Sequence, residues 1–298
     1  MKFAYFGGDM FYPCMELLIQ DGHELITLFT GKHNTEELAF SQDVRSKAST
    51  LDVPVIHSKP THAHISELQQ KGCDMILSAG YSYKIPPWQG GSIQYAINIH
   101  PSLLPEGAGP MPLPLVIIKG LKRTGVTLHE LSPDWDAGNI ILQESFALYG
   151  RENIDELLCR SQDIAVRLLK KFLEAPELHW SNSSPQIHKE GHYWQKPTPD
   201  ELDVDFSKDI QTVDRHLRAL RIVKSNGDVE VISGVASWKQ DHQLKPGTVI
   251  FRTKKTCTIA VEDGVVLFHA RIKQASLNRV DSQEINNPKL STCSDKPV

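Results

Sequence analysis

Residues 2–29, KFAYFGGDMFYPCMELLIQDGHELITLF, decide the class of fold. The apolar run Lys2–Phe6 predicts a buried strand, and the glycine pair that follows it predicts a turn. Met10–Gln20 has the length and apolar spacing of a helix, and after a further glycine Glu24–Phe29 reads as a second strand. A strand, a helix and a strand in this order form a β-α-β unit, whose two strands lie parallel in one sheet.

The same alternation continues over the first 175 residues. Further strands are predicted at Val53–Ile56, Met75–Leu77, Ala96–Ile99 and Val126–Leu131. Helices are predicted around Ile65–Lys71, in the segment that ends near Lys119, and from Ile154 to Phe172. This order favours an α/β domain over residues 1–175, with a mostly parallel, Rossmann-like sheet that has helices on both faces.

A second, smaller unit is predicted after a linker. Residues 176–200 hold four prolines and show little periodicity, so they are expected to connect two domains. An amphipathic helix spanning Ile210 to Leu220 then precedes strand-like runs at Val229–Ser233, Gly247–Phe251, Thr256–Val261 and Gly264–Phe268. The pattern predicts a small β-barrel over residues 201–280, and the polar residues 281–298 are expected to form a disordered tail.

Composition excludes several classes of protein. The chain has 298 residues, 40% of them hydrophobic and 23% charged, with a formal charge of −4, which is typical of a globular protein. Residues 1–200 carry 17 lysines and arginines against 23 aspartates and glutamates, and the remainder carries 15 against 13, so neither part predicts a strongly polyanion-binding surface. The five cysteines lack metal-ligand spacing, which predicts reduced thiols, a cytoplasmic location and no metal site. No signal peptide or membrane segment is expected.

Two polar side chains lie at the end of one predicted strand, in NIHPSLLP (residues 98–105). Asn98 and His100 are two residues apart, so they point to the same face of the strand. A turn after the next strand adds the carboxylate of Asp136. Acyl transfer to an amine needs an oxyanion donor, a group that handles protons and a group that fixes the charge of the imidazole, and these three residues supply them. An Asn-x-His pair by itself is more often structural.

Three segments together resemble the folate-dependent formyltransferase family: NIHPSLLP (98–105), KGLKRTGVTLHEL (119–131) and DWDAGNIILQE (134–144). The resemblance implies that Asn98, His100 and Asp136 are catalytic and that 10-formyltetrahydrofolate is the formyl donor. In the implied mechanism a neutral amine attacks the formyl carbon directly. Asn98 and a protonated His100 stabilise the oxyanion, and Asp136 stabilises the imidazolium and helps to remove the amine proton.

The resemblance extends to both sides of this core. SAGYSYKIP (78–86) matches the family's folate-lining loop. The donor is therefore expected to contact Tyr81, Ser82, Tyr83, Ile85, Ser132, Asp134 and Trp135. Thr127 and His129, on the strand that leads to Asp136, are candidates for supporting polar contacts, although His129 is equally well explained as a structural histidine. Family members that act on methionyl-tRNA or UDP-aminoarabinose carry a C-terminal barrel of the OB type, and a weaker likeness at Asp203–Phe206 implies one here.

The acceptor is the open question. Members that act on methionyl-tRNA have a basic insertion after the second strand and an arginine-bearing segment after the SLLP motif. The corresponding stretches here, residues 31–38 and 106–112, are not basic in that way, which favours a small amine such as a nucleotide-linked amino sugar over tRNA. Alternatives are a methionyl-tRNA formyltransferase, a 10-formyltetrahydrofolate hydrolase in which water replaces the amine, and a non-catalytic folate or nucleotide binder. The sequence leaves the oligomeric state open.

Overall fold

A computed structural model describes residues 1–31, 43–88, 90–187, 192–220, 223–225, 229–253 and 255–272. Seven strands form the first sheet: β1 (Lys2–Gly7), β2 (Glu24–Phe29), β3 (Val55–Ile56), β4 (Met75–Ala79), β5 (Tyr95–His100), β6 (Arg123–Glu130) and β7 (Ile140–Ala147). The helices of this part are α1 (Tyr12–Gln20), α2 (Asp43–Thr50), α3 (His62–Gln70), α4 (Pro112–Ile118) and α5 (Ile154–Glu174). A short 3₁₀ helix, Asp9–Phe11, precedes α1. The predicted β-α-β unit over residues 2–29 is thus confirmed.

The first sheet is mostly parallel, as predicted, with an antiparallel side. Its strand order is β3-β2-β1-β4-β5-β6-β7. Strands β1 to β5 pair in parallel, whereas β6 is antiparallel to β5 and β7 is antiparallel to β6. Because only a loop, and no crossover helix, separates β6 from β7, the two form a hairpin. The side chain pairs between β5 and β6 therefore face each other across an antiparallel ladder.

Apolar strands and amphipathic helices make the core of this part. In β1 and β2 every residue after the first is buried, as expected for strands covered on both faces. Helix α5 begins at the Asn153 cap, whose side chain accepts a hydrogen bond from the Glu156 backbone N–H. The predicted apolar face of α5 is buried: Ile154, Leu157, Leu158, Ile164, Leu168, Leu169 and Phe172.

The segment predicted as a linker contains local structure of its own. It includes α6 (Pro176–Ser181) and runs into α7 (Pro199–Leu202), each of which begins with a proline, a residue that suits the first turn of a helix. Between these helices Ser184 pairs with Ile140 at the start of β7. These short elements escaped prediction because their sequences are too short to show a period. The domain boundaries themselves stay predictions.

The second unit consists of helix α8 (Ile210–Ala219) and a five-stranded antiparallel sheet. Its strands are β8 (Val223–Ser225), β9 (Val229–Lys239), β10 (Val249–Arg252), β11 (Thr256–Val261) and β12 (Gly264–Ile272), in the order β10-β11-β12-β9-β8. The apolar face of α8 packs on the inner side of this sheet, for example against Phe268. The four predicted strand-like runs lie in β9 to β12. Closure into a barrel stays a prediction, and residues 281–298 lie outside the described part. Among the described helices, none is long and apolar enough to span a membrane.

Candidate active site

Four polar side chains meet on one face of the first sheet, where β5 and β6 pair. Asn98 lies opposite His129, and His100 lies opposite Thr127. Residues directly opposite each other in a ladder share a face, and alternate residues of one strand do so as well. His100, Thr127 and His129 are buried, while Asn98 is half-buried. The spacing of Asn98 and His100 was visible in the sequence, and the register of β6 adds the other two.

His129 and Asn98 are joined by a hydrogen bond whose direction is fixed. His129 Nδ1 lies 2.8 Å from the Glu130 carbonyl oxygen, which can only accept, so Nδ1 carries the hydrogen. In a neutral imidazole Nε2 is then an acceptor, and it receives a hydrogen bond from Asn98 Nδ2 at 2.9 Å. Burial, together with the nearby His100, lowers the pKa of His129 to about 4, while Asp136 acts in the opposite direction. His129 is therefore neutral near pH 7 and orients the Asn98 amide.

His100 is held between a carbonyl and a carboxylate. Its Nε2 donates to the Gly107 carbonyl oxygen at 2.8 Å. Its Nδ1 lies 3.4 Å from Asp136 Oδ1, and the two side chains are only 6% and 12% exposed. Both ring nitrogens thus face oxygen atoms of the protein. Because Nε2 is committed to Gly107, Nδ1 is the nitrogen left for a reacting group.

Asp136 reaches this cluster from the loop between β6 and β7. The sequence predicted its turn at the end of a strand, but β6 is antiparallel to β5, so that end, at Glu130, lies opposite Ile97 and away from His100. The loop therefore turns back, and Asp136 has a φ of 53°, a conformation that costs of order 1–3 kcal/mol for a residue other than glycine. Its Oδ2 accepts the Gly109 backbone N–H at 2.9 Å, and its Oδ1 lies 3.8 Å from His129 Nε2.

Thr127 supports the turn after β5. Its hydroxyl donates to the Ser102 carbonyl oxygen at 2.7 Å and accepts the Leu104 backbone N–H at 3.2 Å. It also accepts a hydrogen bond at 2.8 Å from Gln143, whose side chain donates to the Leu104 carbonyl oxygen as well. Thr127 thus holds the residues that follow His100. Gln143 was not among the predicted site residues, because only the pairing of β6 with β7 places it beside Thr127.

The two loops predicted to line the folate site lie next to each other. Lys84 donates from Nζ to the Pro133 carbonyl oxygen at 2.6 Å and lies 5.6 Å from the centre of the Trp135 ring. In the first loop Tyr81 packs edge-on against Tyr83 and Phe6. The rings of Tyr83 and Trp135 stay 44% and 46% exposed, which leaves two apolar surfaces open beside the polar cluster.

The other predicted donor contacts in these loops differ in their surroundings. Ser132 donates to the Asp134 carbonyl oxygen at 2.7 Å, which closes a tight turn before Trp135. Ile85 packs against the apolar cluster beneath β1 and β4. The side chains of Ser82 and Asp134 are exposed. The predicted folate-lining residues therefore lie in two adjoining loops, the second of which carries Asp136, and Lys84, which was not among the predicted contacts, connects the two loops.

Residues 192–194, which follow α6, form backbone hydrogen bonds with the loop at residues 107–109, and this loop contacts His100 and Asp136. The Gly107 N–H donates to the His192 carbonyl oxygen at 3.0 Å, and the Trp194 N–H donates to the Ala108 carbonyl oxygen at 2.7 Å. A Cβ on Gly109 would lie 2.2 Å from the Trp194 carbonyl oxygen, so this close approach requires glycine. The glycines were the signal in the sequence, whereas their partner segment was predicted to be a linker.

The cluster has the parts needed for acyl transfer. It offers an amide that a neighbouring imidazole orients, a second imidazole with one nitrogen that does not bind the backbone, and a carboxylate beside that nitrogen. In a site with little water, such groups stabilise charge that develops on a carbonyl oxygen and move protons. Among the described residues, no group of three or more histidine, cysteine, aspartate or glutamate side chains is arranged to hold a metal ion.

Comparison with known proteins agrees with this chemistry. Residues 3–173 match the formyl transferase family. A methionyl-tRNA formyltransferase of Alkaliphilus oremlandii is 29% identical in an alignment of 297 positions that covers 94% of each chain. The N-formyltransferase of Helicobacter canadensis, in a complex with folinic acid and dTDP-3-aminofucose, superposes with a TM-score of 0.63 at 17% identity and covers 92% of this chain and 100% of its own.

HypX of Aquifex aeolicus, in complex with tetrahydrofolic acid, superposes with a TM-score of 0.63 at 21% identity and covers 92% of this chain but 44% of its own. At these identities the two solved structures show the fold alone. The family match extends over more than half of the chain and includes every residue of the polar cluster. The chain therefore belongs to the formyl transferase family and is, by that membership, a folate-dependent formyltransferase.

Proposed function

We propose that this enzyme transfers the formyl group of 10-formyltetrahydrofolate to a primary amine by direct attack, with Asn98, His100 and Asp136 as catalytic residues. One observation carries the proposal: His100 Nδ1, the nitrogen not committed to Gly107, lies 3.4 Å from Asp136, beside an amide that His129 orients. A purely structural histidine would not need a largely buried carboxylate beside the ring nitrogen that the backbone leaves free.

The proposed reaction follows from these contacts. The amine nitrogen attacks the formyl carbon, and the formyl oxygen takes up negative charge that the second N–H of Asn98 and the Nδ1–H of His100 stabilise. Asp136 stabilises the imidazolium and accepts the amine proton, directly or through a water. The bond from the formyl carbon to the folate nitrogen then breaks, and that nitrogen takes up the proton that the amine released to Asp136, so that tetrahydrofolate leaves. The charge and the protons balance without an acyl-enzyme.

For the donor, we infer a binding site between the two loops at Tyr81–Ile85 and Ser132–Asp136. The support is the contact of Lys84 with Pro133 and the exposed rings of Tyr83 and Trp135. A flat heterocycle such as the pteridine fits between aromatic faces, and backbone groups of the two loops are available for its polar edge.

For the acceptor, we propose a small amine, with nucleotide-linked amino sugars as the first class to test. Residues 106–112, EGAGPMP, adjoin His100 and Asp136 and contain one charged residue, Glu106. Because affinity for nucleic acid depends on lysines and arginines that neutralise phosphates, this loop does not favour tRNA. Residues 32–38 of the other stretch compared in the sequence lie outside the described part.

A second candidate is formylation of methionyl-tRNA. It is favoured by a specific observation: the Alkaliphilus oremlandii protein of that name matches over 94% of both chains, through the second unit as well. In this reading residues 201–280 would close into the OB-like barrel expected from the family resemblance. Under both readings we expect a cytoplasmic enzyme, because its folate donor and either acceptor are cytoplasmic compounds.

A panel of acceptors separates these candidates. The purified protein is mixed with 10-formyltetrahydrofolate and either a nucleotide-linked amino sugar, methionyl-tRNA or no acceptor, and release of tetrahydrofolate is followed by absorbance. Transfer to an amino sugar with negligible transfer to tRNA supports the proposal. Efficient transfer to methionyl-tRNA that falls steeply with added salt establishes the second candidate. Rapid turnover without an acceptor identifies a hydrolase, and no turnover in any mixture contradicts catalysis.

A further inference from the structure

Gln186 binds the loop that carries Asp136, from a position 50 residues further along the chain. Its Nε2 donates to the Asp136 carbonyl oxygen at 2.8 Å and to the Gly138 carbonyl oxygen at 2.7 Å. One side-chain amide thus spans the residue with the positive φ and the glycine two positions later. A Cβ on Gly138 would lie 1.9 Å from the Glu130 carbonyl oxygen, so the loop is also pressed against the end of β6.

The orientation of the Gln186 amide is unambiguous. Both groups beside the end that contacts the loop are carbonyl oxygens, which can only accept, so this end is the nitrogen. The opposite atom, Oε1, is buried and has no hydrogen-bond partner among the described residues. The amide is therefore held by its two N–H groups alone. A glutamate at this position would place a carboxylate against two carbonyl oxygens.

The backbone beside Gln186 is fixed to the same hairpin. Ser184 and Ile140 exchange two backbone hydrogen bonds, of 2.8 and 2.9 Å. The hydroxyl of Ser183 donates to the carboxylate of Glu130. Both ends of the β6–β7 loop, Glu130 and Ile140, thus contact the segment that carries Gln186. This segment is anchored to the sheet and can hold a loop in place.

We infer that Gln186 is a positioning residue that acts through Asp136: it holds the backbone in the conformation that directs the carboxylate towards His100. The inference rests on the proposed function of Asp136. The backbone of Asp136 has a positive φ, which residues other than glycine rarely adopt. Such a conformation persists where contacts with the surrounding structure hold it in place. Two hydrogen bonds from one amide, to the carbonyl oxygens of Asp136 and Gly138, hold the backbone in that conformation.

The test is a double-mutant cycle between Gln186→Leu and Asp136→Asn, measured with whichever acceptor the panel identifies. Gln186→Leu should lower kcat by about 10- to 100-fold, the scale expected when a catalytic group is displaced by around 1 Å. In the Asp136→Asn background the same change should have little further effect, because the residue through which it acts is already lost. The pH profile of kcat/KM for Gln186→Leu should resemble that of Asp136→Asn.

A matched control is Gln69→Leu. Gln69 Nε2 also donates to a backbone carbonyl, that of Gly90, at 2.7 Å, ahead of β5, whose opposite end carries His100. This variant should lower the melting temperature without changing kcat or its pH profile. Gln186→Glu serves as the second variant where the leucine variant does not fold, and it should show the same loss and the same dependence on Asp136.

The outcomes separate this inference from the proposed function. If Asp136→Asn is nearly as active as the wild type, the role of Asp136 fails and the inference fails with it. If Asp136→Asn is inactive but Gln186→Leu keeps its kcat, only the inference is overturned. If Gln186→Leu costs the same factor in both backgrounds, Gln186 acts elsewhere and the inference is again overturned.

Discussion

The two halves of the polar cluster are built in different ways. Asn98 and His129 face each other across paired strands and are joined at 2.9 Å, so the sheet register alone sets their geometry. His100 and Asp136 join a strand to a loop and lie 3.4 Å apart. The second half depends on Gly109 and Gln186, which hold the loop from distant parts of the chain. The geometry of the first pair should therefore tolerate substitutions outside the sheet, while that of the second pair should be sensitive to them.

The largest effect is expected at the pair that the loop completes. Replacing His100 with Ala, or Asp136 with Asn, should lower kcat by at least about 100-fold with the fold intact, the scale of positioned acid–base and oxyanion groups. Steady-state kinetics and circular dichroism check this. Asp52→Asn is a matched control, because Asp52 is also an aspartate with a positive φ, of 54°, away from the cluster. Near-normal turnover of either site variant would contradict the assignment.

A smaller effect is expected at the pair that the sheet fixes. His129→Leu removes the acceptor that orients the Asn98 amide, and kcat should fall about 10-fold, the scale of one hydrogen bond. Asn98 itself stays in its strand, so the loss should remain below that of Asp136→Asn. His242→Leu is the control, since His242 donates to a backbone carbonyl at 2.9 Å in the second unit. A loss for His129→Leu that equals that of His100→Ala would mean that His129 takes a direct part in the chemistry.

A third effect concerns the two loops proposed to bind the donor, one of which carries Asp136. Trp135→Ala should raise the dissociation constant of a folate analogue by roughly 5- to 10-fold, because an aromatic stacking surface contributes about 1 kcal/mol. The change in kcat with saturating donor should be small. Trp238, which is 43% exposed in the second unit, provides the matched Trp238→Ala control. Calorimetric titration measures the dissociation constant of the folate analogue for each variant. Equal affinities for the two variants would mean that Trp135 is not part of the proposed site.

The sequence predicted the parts of this site that obey short-range rules. The β-α-β unit, the shared face of Asn98 and His100 and the apolar face of α5 follow from periods of two and 3.6 residues. The pairing of Asn98 with His129 could not be predicted, because the register of β6 depends on contacts between strands 31 residues apart.

The contacts that fix the Asp136 loop could not be predicted from the sequence, for a related reason. Gln186 and the residues at 192–194 lie in a stretch whose prolines and polar residues predict a linker. Their importance arises from single hydrogen bonds to backbone atoms of distant loops, which leave no periodic signal. Glycines at 109 and 138 were visible in the sequence, and each makes room for a close approach of backbone, from Trp194 and from Glu130 respectively.

The smallest effect is on stability and tests whether His129 is neutral. Its pKa is lowered to about 4 in the folded protein, below the ordinary value near 6.5, by burial and by the adjacent His100, with Asp136 opposing. Between these two pH values His129 binds a proton in the unfolded chain but not in the folded one. The contribution of His129 to the free energy of unfolding therefore falls as the pH is lowered from 6.5 towards 4. Above 6.5 this contribution is complete. One proton gives a slope of at most about 1.4 kcal/mol per pH unit.

Urea unfolding at pH 4.5, 5.5, 6.5 and 7.5 should therefore show a shallower pH dependence for His129→Leu than for the wild type. Because Asp136 and His100 are present in both proteins, the difference between the two curves reports mainly on His129. Parallel curves would mean that His129 takes up its proton in the folded state, and its Nε2 could then no longer accept the hydrogen bond that orients Asn98.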